Sequence, residues 1–304
     1  MSFSVTILGS NSALPTSDRY PTAQILRVSE RFFLIDCGEG TQMQMRKNKI
    51  NFSKIHHVFL SHLHGDHIFG LMGFISTLGL LGRNKKLTIH AHPDLKDLLE
   101  PQLAYFCEDL PYAIEYKDLT FDSPKIIYED KKVIVESLPL SHRIPTCGFI
   151  FREKPKEPNI RKEAIYKYNL GIADIVSIKN GESFYDDKGR EVDMNKLVIP
   201  APKPRSYAFC SDTRYFRKII PAITGVDLLY HEATFLHELK DLAKSSTHTT
   251  AKQAATIAKD ANVGKLIIGH FSSRYKDLTP LKNEAMEVFE NVDLALDNQQ
   301  YFIE

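Results

Sequence analysis

Net charge is almost missing from this chain: 39 Lys and Arg face 38 Asp and Glu, a formal +1 over 304 residues. Composition therefore does not mark a nucleic-acid binder, and any basic surface has to be local. No long hydrophobic run is present either. The longest, residues 70–81 (GLMGFISTLGLL), falls short of the roughly 20 apolar residues a membrane-spanning helix needs. The N-terminus lacks a basic segment followed by an apolar one, so no signal peptide and a cytoplasmic location are expected. Cysteine is scarce. None of Cys37, Cys107, Cys147 and Cys210 forms a CxxC pair, which argues against a cysteine zinc site and against a disulfide framework. Internal repeats and low-complexity tracts are lacking too. What remains is 43% hydrophobic and 25% charged residues, at a length suited to one large α/β domain or two smaller ones.

Short β-rich runs open the chain (FSVTIL, AQILRV, RFFLID). The pattern then predicts a helix over residues 41–47, a strand over 57–60 and a helical, glycine-containing stretch over 68–81. LTIHA, a helix after Pro93, KIIYE and KVIVES follow. Further on come YAFCS, DLLYH, a helix over 250–260, KLIIGH and a closing helix near 281–289. Metal-capable residues recur just past strand ends: His62 after Leu60, Asp212 after Cys210, His270 after Ile268. Ligands of α/β folds gather at such ends. Over residues 152–196 the apolar density falls while charge, Pro and Gly rise. An interruption of about 40 residues inside a domain is more often functional than a simple connector.

The densest chemistry is Ser61-His62-Leu63-His64-Gly65-Asp66-His67. Imidazole and carboxylate are the usual zinc ligands where thiols are absent. In an extended turn His62 and His64 point the same way, because side chains alternate with period two. Asp66 and His67 then start a helix and can face a second ion, with Gly65 giving the tight backbone between the pairs. A histidine-rich surface turn is the bland alternative, and several convergent ligands in one turn weigh against it. His56, His57, His90, His92 and His237 have no comparable context, and His231 is intermediate, a residue that can stand behind a ligand.

The HxHxDH string resembles the signature of the metallo-β-lactamase superfamily. That resemblance implies a four-layer αββα sandwich with a binuclear metal site at one edge of two sheets, and a single domain over 1–304. It also implies the ligand set: His62, His64 and His142 on one zinc, Asp66, His67 and His270 on a second, and Asp212 bridging. Local strings narrow the likeness. Asp36-Cys37-Gly38-Glu39-Gly40-Thr41-Gln42, His231-Glu232-Ala233-Thr234, His248-Thr249-Thr250 and Ser273-Arg274-Tyr275 resemble, in order, DCGEGTQ, HEAT, HST and SxRY of the ribonuclease Z family. Thr249 stands where that family usually has Ser. Lactamases and glyoxalase II share HxHxDH and are not expected to share these strings together.

The resemblance implies a zinc-dependent endoribonuclease that removes the 3′ trailer of precursor tRNA near the discriminator nucleotide. Water is the nucleophile, so the products are a tRNA 3′-hydroxyl and a 5′-phosphate trailer. Asp66 would take the nucleophile's proton, and His248, oriented by Glu232, would protonate the leaving oxygen. Arg274 would clamp a phosphate oxygen. Residues 152–196 sit where the family carries a tRNA-binding arm, with Lys154, Lys156, Arg161 and Lys162 as phosphate contacts. The Gly/Pro-rich run of that arm is not evident, since LGIADIVSIKNGE lacks the prolines. The family also suggests a homodimer in which one subunit's arm serves the other's site. Two rivals stay open: a hydrolase of small phosphodiesters or an aryl sulfate on the same fold, and an RNA- or zinc-binding protein without catalysis.

Overall fold

Alternation along each strand decides which layer a side chain enters. In the strand Arg31–Cys37, Phe33 and Ile35 join one apolar cluster and Leu34 another. In Ser206–Cys210, Phe209 goes one way and Ala208 and Cys210 the other. Both faces of these strands are apolar because both are covered, which is why the sequence reads as continuous hydrophobic runs.

The computed structural model describes residues 2–304. Its first seven-stranded sheet runs in the order Gln300–Phe302, Phe3–Gly9, Ala23–Val28, Arg31–Cys37, Ile55–Phe59, Leu87–Ala91, Ile114–Asp118. The second runs Val292–Leu294, Lys265–Gly269, Leu228–Glu232, Ser206–Cys210, Cys147–Glu153, Val133–Pro139, Lys125–Glu129. Phe33, Phe59, Phe149, Phe151, Phe209 and Tyr230 form an aromatic seam between the sheets. The outer face of the first sheet is closed by helices Leu71–Leu80 and Asp94–Phe106, that of the second by Ala251–Asp260 and Thr279–Met286. The layers are thus α, β, β, α. No helix among the described residues is long and apolar enough to cross a membrane. All four cysteines are free, and burial pushes the Cys37 and Cys210 thiols up to about 12.

The helix expected over 68–81 is broken into Gly65–Ile68 and Leu71–Leu80. Gly70 is the reason. Its N–H goes to the carbonyl of Cys37 at 2.9 Å instead of into the helix, and a side chain there would meet the Gly38 carbonyl oxygen at 2.0 Å. That contact ties the turn after His67 to the end of the Arg31–Cys37 strand.

Residues Glu153–Pro204 form a second compact unit with a core of its own. Ala164, Leu170, Ile178, Val192, Leu197 and Val198 fill it. Where the Gly/Pro-rich run of the arm is lacking, LGIADIVSIKNGE carries the helix Ile172–Lys179, whose Gly171 cap donates its N–H to Asp174 Oδ2 at 2.8 Å.

Candidate metal centre

Seven side chains meet where strands of the larger unit end. His62, His64, Asp66 and His67 follow the Ile55–Phe59 strand; His142 follows Val133–Pro139, Asp212 follows Ser206–Cys210, and His270 follows Lys265–Gly269. They fall into two groups: His62, His64, His142 and Asp212, and Asp66, His67, Asp212 and His270. Asp212 belongs to both. Its Oδ2 lies 3.6 Å from His62 Nε2 and 3.7 Å from His142 Nε2, its Oδ1 3.2 Å from His67 Nε2 and 3.1 Å from His270 Nε2.

The spacing suits metal ions. Two nitrogens bound at ~2.05 Å to one tetrahedral zinc stand about 3.3 Å apart. Here His62 Nε2 and His64 Nδ1 are 3.0 Å apart, and His142 Nε2 and His64 Nδ1 3.3 Å. His67 Nε2 is buried and has no hydrogen bond among the described residues. Burial opposes a charge on His67, yet the carboxylates of Asp212, Asp66 and Asp36 overcome it and hold the ring's pKa well above its usual range. Three carboxylates crowding one fully buried imidazole make a pocket that calls for a cation.

The outer ring nitrogens are spoken for, which aims the inner ones. His67 Nδ1 donates to Asp36 Oδ2 at 2.7 Å, and His142 Nδ1 faces both the Thr247 carbonyl at 3.1 Å and the Thr247 hydroxyl oxygen at 2.9 Å. Ser61 gives its only hydroxyl proton to Asp36 Oδ2 at 2.9 Å, so it accepts from His62 Nδ1 at 3.0 Å. Thr234 likewise donates to Glu232 Oε2 at 2.7 Å and accepts from His270 Nδ1 at 3.1 Å. Each bond fixes a tautomer with a bare inward nitrogen, the form a metal takes. Asp36, Asp212 and His270 all adopt left-handed backbone (φ 54, 53 and 57) just at strand ends. Asp and His are among the few side chains that tolerate that region.

Glu232 is fully buried beside the second group. Its Oε1 accepts from His248 Nδ1 at 2.9 Å and the Thr213 N–H at 2.8 Å, its Oε2 from Thr234 and the Thr249 N–H at 3.0 Å. Burial pulls the His248 pKa down, and the Glu232 charge and hydrogen bond more than reverse this, to about 9. His64, Asp66, Phe69, His142, His248 and His270 line one cleft of about 560 Å³. The arrangement can bind an anion, position a nucleophile and offer a proton on one wall.

Gly65 plays a different part from the one expected. It begins the short helix Gly65–Ile68, and a side chain on it would lie 2.2 Å from the ring of Phe69. Its bareness seats that ring. Arg274 is exposed, with its guanidinium 5.0 Å from the centre of the Phe235 ring that also lines the cleft. In the smaller unit, Arg161 Nε donates to the carbonyls of Asn195 (2.9 Å) and Val198 (3.1 Å), and Lys156 pairs with Glu153 at 3.3 Å. Lys162 is exposed and Lys154 half-buried. His57 and His90 pack together, ring nitrogens 3.2 Å apart, with His90 stacked on Phe59 between the sheets. His231 is fully buried, its Nδ1 2.8 Å from the Glu232 carbonyl.

Sequence reasoning gave no role to Asp36, Ser61, Thr234, Thr247 or Phe69. Asp36 and Thr234 lie inside quoted strings, but nothing in their spacing says that Asp36 reaches His67, 31 residues on.

Comparison with known proteins supplies the rest. A family model described as Anti-Pycsar protein Apyc1 matches residues 3–140, less than half of the chain. Ribonuclease Z of Phocaeicola vulgatus is 49% identical over 304 residues, covering 99% of this chain and 98% of that protein. Ribonuclease Z of Parabacteroides distasonis is 47% identical over 287 residues, covering 94% of each. Human tRNase Z, short form, superposes with a TM-score of 0.73 at 25% identity over 99% of both chains. The metallo-β-lactamase fold protein YhfI of Bacillus subtilis gives 0.69 at 19% identity over 99% of this chain and 100% of that one, a likeness of fold alone. With such identity along nearly its whole length, the chain belongs to the ribonuclease Z family, hydrolases of the metallo-β-lactamase fold that act as endoribonucleases.

Proposed function

We propose that this protein removes the 3′ trailer from precursor tRNA by hydrolysis near the discriminator nucleotide, with two zinc ions as cofactors. The observation that carries the reading is Asp212, set between two ligand groups beside the Glu232–His248 pair. His62, His64 and His142 would hold one ion and Asp66, His67 and His270 the other, with Asp212 shared. When bound, the ions would supply an acidified water and stabilise charge developing on the phosphate.

The chain's own groups do the remaining work. Asp66 accepts the proton that the nucleophile gives up. His248 carries a proton at neutral pH and delivers it to the departing 3′-oxygen, which yields the tRNA 3′-hydroxyl and leaves the phosphate on the trailer. Glu232 holds the His248 ring and its proton in place. Arg274, at the mouth beside Phe235, grips a phosphate oxygen.

The unit Glu153–Pro204 serves as the tRNA-binding arm, touching the tRNA body through phosphates by way of Lys154, Lys156, Arg161 and Lys162. The internal bonds of Arg161 and Lys156 make Lys162 the most available of these. The protein works as a homodimer in the cytoplasm, a reducing compartment that suits four free cysteines.

The test is cleavage of a precursor tRNA carrying a 3′ trailer, with both new ends mapped. A single cut after the discriminator, giving 3′-hydroxyl and 5′-phosphate ends, is expected. Metal-loaded protein that leaves the precursor intact and hydrolyses small phosphodiesters instead would overturn the reading.

A further inference from the structure

Phe69 is 72% exposed, yet it lines the cleft beside His64, Gly65 and Asp66. An apolar ring left in water next to a polar, ligand-rich site has nothing of its own to bury against. Its backbone is nevertheless fixed. Phe69 caps the short helix Gly65–Ile68 with helical backbone (φ −65, ψ −19), and its N–H donates to the Gly65 carbonyl at 2.8 Å. One part of the ring rests on Gly65, where a Cβ would come within 2.2 Å. The remainder is open to the cleft. Gly65 and Phe69 act together: the first stays bare so that the second can lie against it.

The cleft's histidines and aspartates suit a phosphate and the ions that hold it. They offer nothing to the flat apolar groups that an RNA strand carries on each side of that phosphate. An exposed aromatic ring carried on a fixed backbone offers what those groups need, because every base has a π-face and stacking does not depend on its identity. That tolerance matters for an enzyme whose substrates differ in sequence around the cut.

We infer that Phe69 is a stacking platform for the base of a nucleotide flanking the scissile phosphate. The inference rests on the RNA-cleaving reading above and adds to it a base-binding subsite at the rim of the metal centre.

The test couples the ring to the base. kcat/KM is measured for wild type, Phe69→Ala, Phe69→Leu and Phe69→Trp on a precursor tRNA with all bases present. The measurement is repeated on two precursors with an abasic nucleotide, one just 5′ and one just 3′ of the cut. Loss of a base–aromatic stack should lower kcat/KM by about 5- to 150-fold for Phe69→Ala on the intact precursor. Phe69→Leu, apolar but without a π-face, should fall nearly as far, and Phe69→Trp should retain wild-type rates. On one of the abasic precursors wild type should drop by a similar factor, and Phe69→Ala should then match it. Metal content should be equal in all four proteins. Equal losses by Phe69→Ala on intact and abasic precursors would overturn the inference, as would no loss on the intact one. If wild type failed to cut the intact precursor, the tRNA reading itself would fall and take this inference with it.

Discussion

The carboxylate of Asp36 lies 2.7 Å from Nδ1 of His67, and through Ser61 it also sets the ring of His62. One residue outside both ligand groups thus orients a histidine in each. Replacing it with Asn keeps size and the left-handed backbone but puts a neutral amide where a carboxylate accepted three bonds. Asp36→Asn should fold and lower metal affinity by roughly 10–100-fold, the usual effect of losing such a partner. Competition with a chromogenic chelator reads this directly, and unchanged affinity would show that Asp36 serves only the strand end.

The two ligand groups should empty separately. His64 contributes to the first group alone and His270 to the second. Metal analysis should therefore find about two zinc ions per chain in wild type and about one in His64→Ala or His270→Ala. Both variants should lose phosphodiesterase activity. Full metal content in either would sink its ligand assignment.

His248 should act through the proton it carries. Removing a general acid typically costs about 10²–10⁴ in rate. His248→Ala should keep its metal and lose this factor on precursor tRNA, with a smaller loss on a nitrophenyl phosphodiester, whose leaving group needs no proton. The pH dependence has a definite sign. The Glu232 carboxylate raises the His248 pKa to about 9, so the acid form persists through neutral pH and disappears as pH rises through that value. Glu232→Gln removes the strongest raising charge and leaves burial, which lowers the pKa, against the weaker pull of Asp212 and Asp66. The alkaline limb of kcat should then move to lower pH. The pair's contribution to stability is complete below the ordinary imidazole pKa of ~6.5 and lost as pH rises through about 9. Tm should accordingly fall more between pH 7 and pH 10 in wild type than in Glu232→Gln.

Within the smaller unit, two neighbouring basic residues should behave differently. Arg161 Nε is bonded to two backbone carbonyls, whereas the Lys162 side chain is exposed. Arg161→Ala should loosen the unit, seen as faster proteolysis within 153–204. Lys162→Ala should leave it intact, weaken tRNA binding at low salt and reduce the salt slope by about one counterion. Hydrolysis of a small phosphodiester should be unchanged in Lys162→Ala, because the ligands lie elsewhere in the chain. If Lys162→Ala bound precursor tRNA as wild type does at every salt concentration, the arm would have to grip through other residues.

Much of the layered fold was legible in the sequence because strands buried on both faces leave short continuous apolar runs such as KLIIGH and YAFCS. Helix Ala251–Asp260 starts at Thr250 because that hydroxyl accepts the Gln253 N–H, a signal written in four residues. The Glu153–Pro204 unit was opaque for the opposite reason. Its six core residues are spread from Ala164 to Val198 with no single period, so nothing in the pattern announced a core. At the candidate metal centre, the sequence exposed the side chains that point inward, since His and Asp in one turn are conspicuous. It hid those that hold them. Thr234, Thr247 and Ser61 are ordinary hydroxyl residues until the fold brings a histidine nitrogen within reach. Gly65 misled because a glycine in a turn suggests backbone freedom, while here it makes room for a neighbour's ring.

The left-handed turns at Asp36, Asp212 and His270 also bear on how this protein ages under mutation. A non-glycine residue held there costs on the order of 1 kcal/mol or more. Glycine at Asp212 or His270 would relax the backbone while erasing a carboxylate or imidazole of the candidate centre, whereas at Asp36 it would also strand the buried donors of Ser61 and His67. Drift toward a sturdier scaffold and drift toward an inert one therefore run along the same substitutions. A screen of variants selected for heat resistance alone should collect glycines at positions 212 and 270 and not at 36, and those survivors would be folded, long-lived and silent.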